Sequence, residues 1–552
     1  MKPTMNQPAL SDSYRNRPPI LSSGDRPSGV RDTRPTETDK GVLDVKTFDA
    51  IETDQLFDSI NHAVTHAGQS VLYRSLARPG TDAGVTRKKQ EALRELESNP
   101  GLREALKRFI GEMVQGEKSL YELLYGTFTG GLAVGNSRGG KDEMEFSGYG
   151  YHQFIDGTGF VIDLVEAVQT LPQPQSSYLQ DLFNAIRDFG NSRIYSLIRG
   201  PVYPVEGKFK TREEKPRYFP IPRFRPSMVK PVPMFGALGA IGAALYFFQN
   251  VLAAFGIGYL GYGVLVLAVP ILPVVLIAIA GSDRDSVIYP LRKLFKHSPE
   301  LARLLETFGM IDEILSFHRY SQVFGGKMAL PEILESERHS LVVTEARNPL
   351  LGRANPNYVP NDILLDDAGR LLVITGPNSG GKTAYCKTVV QLQLLGQIGC
   401  YIPAADARLV LAEHIFYQVP DPGHLDEGIG RFGHELKRTR EIFFSSTPRS
   451  LVVLDELSEG TTFEEKMELS EYVLAGFYEL GASTLLVTHN HELCERLQSK
   501  GIGRYLQGEF LPQGPTYRLI PGVSRVSHAD RVAAALGFSK EDVEKHLATR
   551  RT

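Results

Sequence analysis

Residues 376–383 read Gly-Pro-Asn-Ser-Gly-Gly-Lys-Thr and fit the pattern G-x-x-x-x-G-K-[ST], which leaves a chain little choice of fold. Its glycines let successive backbone N–H groups turn inward around an anion, while the lysine and threonine add a cation and a hydroxyl at the start of a helix. Such a loop needs a strand running into it. Leu371-Leu-Val-Ile374 is a short apolar run suited to a buried parallel strand, so the expectation is an α/β P-loop NTPase domain with a mostly parallel sheet.

Two further strand ends extend the pattern. Ser450-Leu-Val-Val-Leu-Asp455-Glu456 is a second apolar run closing on two carboxylates. Beside a phosphate loop, Asp455 can hold the water shell of Mg²⁺ together with Thr383, and Glu456 can polarise an attacking water. Ser483-Thr-Leu-Leu-Val-Thr-His489 brings a histidine to the carboxyl end of a third strand, the edge where open α/β sheets bind ligands, and His489 reads as a γ-phosphate sensor. The expected nucleotide-binding residues are Gly376, Pro377, Asn378, Ser379, Gly380, Gly381, Lys382, Thr383 and Ala384. Lys382, Glu456 and His489 are expected to act in catalysis, with Thr383 and Asp455 as metal ligands.

Taken in order, several stretches resemble the ATPase domain of the MutS family. They are Tyr358-Val-Pro-Asn-Asp-Ile-Leu-Leu365, the phosphate loop, Leu454-Asp-Glu-Leu-Ser-Glu-Gly-Thr461 and Thr488-His-Asn-His-Glu-Leu493, with Tyr401-Ile-Pro-Ala404, Tyr517-Arg-Leu-Ile-Pro-Gly522 and Ala533-Ala-Ala-Leu-Gly537. The likeness runs over residues 331–546. It implies an ABC-like sheet, ATP as the nucleotide, stacking of Tyr358 on adenine, and a dimer in which each site borrows a loop from its partner. In relatives that loop carries Ser-Thr-Phe; here Gly428-Ile-Gly-Arg-Phe-Gly-His-Glu-Leu436 lacks the serine, leaving backbone N–H groups near Gly430 and the charge of Arg431 to meet a phosphate. Ser379 stands where the family has methionine.

Upstream, Phe57, Ile60, Val64, Ala67, Val71 and Leu72 recur at helical spacing and resemble the start of the family's helical core and lever, with Ile311-Asp-Glu-Ile-Leu-Ser-Phe317 as its return leg. Leu179–Ile186 has the pattern of an amphipathic helix. Gly130–Gly140 is glycine-rich but lacks a G-K-[ST] ending and reads as a loop. The short stretch before the core leaves no room for the family's mismatch-reading and connector domains, and no nuclease-like extension follows, so the expected activity lacks classical mismatch recognition.

From Val232 to Gly281 the chain carries no charge, although 23% of its residues are charged overall. A spanning helix needs about 20 apolar residues, so the run has room for two, divided at the glycines and tyrosines of 255–263. Lys208, Lys210, Arg212, Lys215, Arg217, Arg223, Arg225 and Lys230 precede it, and Arg284, Arg292, Lys293 and Lys296 follow it. By the positive-inside rule both ends face the cytoplasm, which predicts a multi-pass protein of the inner membrane with both termini and the ATPase domain cytoplasmic.

The net charge of −3 supplies no global attraction to nucleic acid, and Cys386, Cys400 and Cys494 have no metal-ligand spacing. The resulting expectation is a disordered tail over 1–40, a MutS-like helical core/lever with a basic juxtamembrane segment over 41–230, a transmembrane helical hairpin over 231–282, a lever return over 283–330 and an ATPase domain over 331–552. Its function would be ATP hydrolysis with Mg²⁺ in a homodimer, coupled to DNA by local basic patches; the alternative is a nucleotide-driven membrane switch or scaffold that does not bind DNA.

Overall fold

The computed structural model describes residues 20–551 apart from 23, 25, 131–145, 147, 206, 216–222, 228–229, most of 231–270, 378–379, 421–429, 458–462, 512–513 and 525–536. Side chains of 271–275, 430–432, 463, 466 and 548–551 are likewise outside the description. Asn378, Ser379, most of the Gly130–Gly140 loop and the first part of the expected tail therefore lie outside it.

In chain order the helices are α1 (Val45–Ala50), α2 (Thr53–Ile60), α3 (His66–Ala77), α4 (Ala83–Ser98), α5 (Pro100–Tyr125), α6 (Tyr151–Thr170), α7 (Ser177–Phe189), α8 (Arg193–Arg199), α9 (Ile271–Asp283), α10 (Tyr289–Lys296), α11 (Pro299–Val323), α12 (Lys382–Gln397), α13 (Gly430–Ser445), α14 (Phe463–Leu480), α15 (His491–Ser499) and α16 (Lys540–Arg551). The strands are β1 (Thr127–Gly130), β2 (Gly148–Gly150), β3 (Tyr203–Val205), β4 (Lys208–Lys210), β5 (Glu332–Leu334), β6 (Leu341–Ala346), β7 (Asn361–Leu365), β8 (Leu371–Thr375), β9 (Asp406–Val410), β10 (His414–Gln418), β11 (Ser450–Asp455), β12 (Ser483–Val487), β13 (Arg504–Leu511) and β14 (Gly514–Pro521). They divide into two compact units. The first takes the described residues of Met1–Asp32, Ala63–Val71 and Ser98–Glu313, the second those of Thr33–His62, Leu72–Glu97 and Ile314–Thr552.

The first unit is mainly helical. Helices α5 and α6 approach closely because two glycines carry no side chain: a Cβ at Gly157 would stand 2.7 Å from the Ser119 carbonyl oxygen, and one at Gly116 2.8 Å from Phe160 Cβ. Phe308 meets Phe109 and Phe160 edge to face. The start of α3 rests on two buried carboxylates. Asp312 accepts from the N–H groups of Val64 (3.0 Å) and Thr65 (2.9 Å) and from the Thr65 hydroxyl (2.6 Å), and Glu117 accepts from the N–H groups of His66 (2.9 Å) and Ala67 (2.8 Å). These are donors that a helix start leaves without intrahelical partners. The amphipathic reading of Leu179–Ile186 corresponds to α7, whose Leu179, Leu182, Phe183 and Ile186 are buried. The helical spacing from Phe57 to Leu72 is broken: α2 ends at Ile60, α3 begins at His66, and Val64 between them is 55% exposed.

The expected transmembrane hairpin is corrected. Among the described residues no helix is long and apolar enough to cross a membrane. The C-terminal end of the uncharged run lies in α9. The residues bounding the run meet, with Lys230 Nζ 3.0 Å from an Asp283 carboxylate oxygen. Nearly all of 232–270 lies outside the described residues. With the hairpin go the bilayer as a partner, the inner-membrane location and the membrane part of the fold class.

The second unit holds a six-stranded sheet in the order β10-β11-β12-β8-β13-β14, parallel except for the antiparallel β13–β14 pair. Every residue of β8, β11 and β12 is buried, as parallel strands covered on both faces require. On one face Val373, Phe416, Val452, Leu454 and Leu486 pack with Ile442, Met467, Leu474, Phe477, Leu493 and Leu497 of α13, α14 and α15. Helix α12 packs against β11 and β12 and buries nearly all of its residues. A four-stranded sheet in the order β5-β9-β6-β7 completes this unit. Cys386, Cys400 and Cys494 are buried and form no disulfide among the described residues.

Remote sequence also enters the second unit. Leu43 forms a parallel bridge with Ile415, and the Ile415 N–H donates to the Val42 carbonyl at 2.7 Å, so residues 42–43 extend the edge at β10. Behind them, the Tyr417 N–H donates to Thr47 Oγ1 of α1 at 3.0 Å. Glu52 pairs with Lys387 of α12 at 2.8 Å, and Gln391 of α12 donates to the Ile51 carbonyl at 2.8 Å.

Candidate active site

Strand register brings the motifs together. Asp455 pairs with Val487 and Val487 with Ile374, so β11, β12 and β8 reach the same level at their carboxyl ends. The next residues stay aligned, with the Glu456 N–H donating to the Val487 carbonyl at 3.0 Å and the Thr488 N–H to the Ile374 carbonyl at 3.1 Å. Strand β12 separates the phosphate-loop strand from the carboxylate strand, so the two motifs face each other across the width of one strand.

The loop leaves β8 at Gly376, φ +120°, and enters α12 after Gly381, φ +82°, both positions that favour glycine. Lys382 Nζ donates to the Gly376 carbonyl at 2.5 Å and folds back over the loop. Its ammonium is held below the usual lysine range by burial, opposed by the charges of Asp455 and Glu456. Thr383 Oγ1 donates to Asp455 Oδ2 at 3.1 Å. Burial pushes the Asp455 carboxyl up, while the Thr383 hydrogen bond counters that shift. Ala384, at the next position of α12, is half-buried.

Glu456 and His489 face each other, Oε1 to Nε2, at 3.1 Å. Glu456 has φ +62°, a left-handed conformation costly for a residue with a Cβ. Sustaining it are the hydrogen bond to Val487 and the buried neighbours Asp455 and Leu457. Residues with oxygen donors meet where Thr383 touches Asp455, and among the described residues no group of three His, Cys, Asp or Glu gathers to form a metal cage. One carboxylate and one hydroxyl form the sparse hard-oxygen set that suits Mg²⁺ completed by phosphate oxygens and water, so these residues fit that ion.

The β13–β14 hairpin overhangs the loop, a feature not anticipated from sequence. A Cβ on Gly380 would stand 3.2 Å from the Phe510 ring, and one on Gly381 3.5 Å from the Tyr517 ring. Tyr517 is itself left-handed, φ +62°, and 55% exposed. Asn361 donates to the Tyr517 carbonyl at 3.0 Å and accepts from the Leu519 N–H at 2.7 Å, fastening the hairpin to the segment after Tyr358. Tyr358 is half-buried, with the Arg347 guanidinium 5.9 Å from its ring centre. Tyr517 sits inside the quoted Tyr-Arg-Leu-Ile-Pro-Gly stretch; its place in an alternating strand beside a turn was the signal available. Of the expected partner-borrowed loop, 428–429 lie outside the described residues, and from Gly430 the backbone is already helix α13.

The parallel sheet, the glycine loop opening a helix and the aligned acidic strand end define a domain of the P-loop class. Residues 372–506 match the family profile described as MutS domain V. Over those residues the chain is similar to the MutS family. It is 35% identical over 202 residues to the DNA mismatch repair protein MutS of Brevibacillus brevis, covering 36% of this chain and 23% of that protein. With the endonuclease MutS2 of Pelotomaculum thermopropionicum it shares 34% identity over 253 residues, 45% of this chain and 31% of the relative. The human DNA mismatch repair protein Msh3 is 32% identical over 242 residues, 42% of this chain and 21% of the relative. The matched stretch thus spans less than a third of each of these relatives.

Proposed function

We propose that this chain is an ATPase of the MutS type that binds ATP at the loop of 376–384 and hydrolyses it with Glu456. The single observation that carries the reading is the convergence, at the ends of β8, β11 and β12, of Lys382, the Thr383–Asp455 pair and the Glu456–His489 pair. Backbone N–H groups of the loop cradle the phosphates, and Lys382, released from the Gly376 carbonyl, neutralises the β- and γ-oxygens. Thr383 and Asp455 hold Mg²⁺, which supplies charge stabilisation as the terminal phosphoryl group departs. Glu456 accepts a proton from the attacking water, and His489 orients Glu456 while donating toward the γ-phosphate. Tyr358 stacks on the base.

Two such sites facing each other in a dimer, and coupling of hydrolysis to DNA, form the wider part of the proposal. They are supported by the names of the matched relatives, two of which are called mismatch repair proteins and one an endonuclease. The test is the ATPase rate of purified protein, with Glu456→Gln as control, with and without duplex and branched DNA over a salt series. Glu456-dependent hydrolysis stimulated by DNA, with stimulation fading as salt rises, is the expected result. Hydrolysis indifferent to DNA would remove the DNA coupling, and no Glu456-dependent hydrolysis would remove the ATPase reading itself.

A further inference from the structure

Tyr417 is among the largest fully buried side chains of the described residues, and no hydrogen bond of its hydroxyl with full geometry is made among them. A buried hydroxyl in that state is costly and calls for an acceptor. Strand register shows where one lies. In the parallel pair β10–β11, Tyr417 stands opposite Val453, so its side chain and that of Asp455, two residues further on, occupy the same face of adjacent strands. This is the face away from the Phe416, Val452 and Leu454 cluster. Lys382 acts electrostatically on Asp455, and both act on Cys386, one turn further along α12.

The charges acting on the Tyr417 hydroxyl are those of Cys386, Asp455 and Glu52. Glu52 is already committed to Lys387 at 2.8 Å, and a thiol is a weak acceptor. The Asp455 carboxylate accepts from Thr383 at Oδ2, and it lies near enough to the Tyr417 hydroxyl to hydrogen-bond it. We propose that Tyr417 is a positioning residue for Asp455: its hydroxyl donates to that carboxylate from inside the sheet and fixes the rotamer that aims Oδ2 at Thr383.

This inference rests on the nucleotide-binding reading of the same site. Its test measures binding of a fluorescent ATP analogue to the full chain with Mg²⁺ and with EDTA, for the parent protein and Tyr417→Phe, which keeps the ring and so the packing. The parent should gain affinity with Mg²⁺, and Tyr417→Phe should lose about tenfold of that gain while its EDTA affinity stays unchanged. In the Asp455→Asn background Tyr417→Phe should add nothing, an outcome that a general loss of packing would not produce. An equal Mg²⁺ gain in parent and Tyr417→Phe, or an undiminished effect of Tyr417→Phe in the Asp455→Asn background, overturns the inference alone. No nucleotide binding by the parent overturns the site reading with it.

Discussion

Glu456 Oε1 and His489 Nε2 lie 3.1 Å apart although they leave different strands, because the Glu456 N–H is bonded to the carbonyl of Val487, two residues before the histidine. The pair is therefore set by sheet register, and its two members can be separated experimentally. Glu456→Gln should leave nucleotide affinity near that of the parent and lower the hydrolysis rate by about 100-fold or more. His489→Ala should also retain binding and lower the rate by a smaller factor. Single-turnover rates together with equilibrium binding check both; loss of binding in Glu456→Gln would contradict the assignment.

Gly381→Ala places a Cβ on a residue at φ +82°. The contact with Tyr517 at 3.5 Å is tolerable, so the cost is backbone strain, about 1–2 kcal/mol. A lowered melting temperature and weakened nucleotide binding should appear together, since relaxing the strain turns loop N–H groups away from the phosphates.

The carboxylates under α3 make the first unit sensitive to pH. Burial raises Glu117 to about 7 and Asp312 to about 6, both above their values in an unfolded chain. The folded state then binds more protons than the unfolded one over that window, so this contribution to stability is complete below about pH 4 and is lost as pH rises through 6 and 7. Melting temperature should fall across that range in a pH series, and Glu117→Gln, which keeps an acceptor for only one of the His66 and Ala67 N–H groups, should flatten the fall while lowering stability overall.

Gly68→Ala probes the same joint sterically. Its Cβ would stand 2.3 Å from Asp312 Oδ2, and Asp312 can retreat only by giving up its bonds to Val64 and Thr65. A loss of about 2–3 kcal/mol in denaturant unfolding is expected. Gly80→Ala, with nothing within 4 Å of the added carbon, serves as the control and should change little.

Legibility from sequence followed the range of the interactions. The strands β8, β11 and β12 were readable because a buried parallel strand is an unbroken apolar run, and the loop because its glycines, Lys382 and Thr383 answer to local chemistry. The span from Val232 to Gly281 misled for the same reason: lack of charge reports an apolar stretch but not helix length. Tyr417 carried no motif of its own, and Tyr517 and Asn361 lay inside family-like stretches that gave them no individual role. Their place at the site depends on which strands become neighbours, a long-range outcome that no local window encodes.

The bridge between Leu43 and Ile415 bears on where the unit that carries the P-loop begins. A fragment cut at residue 331 would keep every nucleotide motif yet leave β10 with an open row of N–H and C=O groups, a surface that recruits other strands. Such a fragment should be sticky, pairing with its own copies or with any extended peptide offered to it. The boundary drawn along the chain and the boundary drawn by hydrogen bonds are different lines, and a self-sufficient catalytic piece has to be assembled from both sides of the gap.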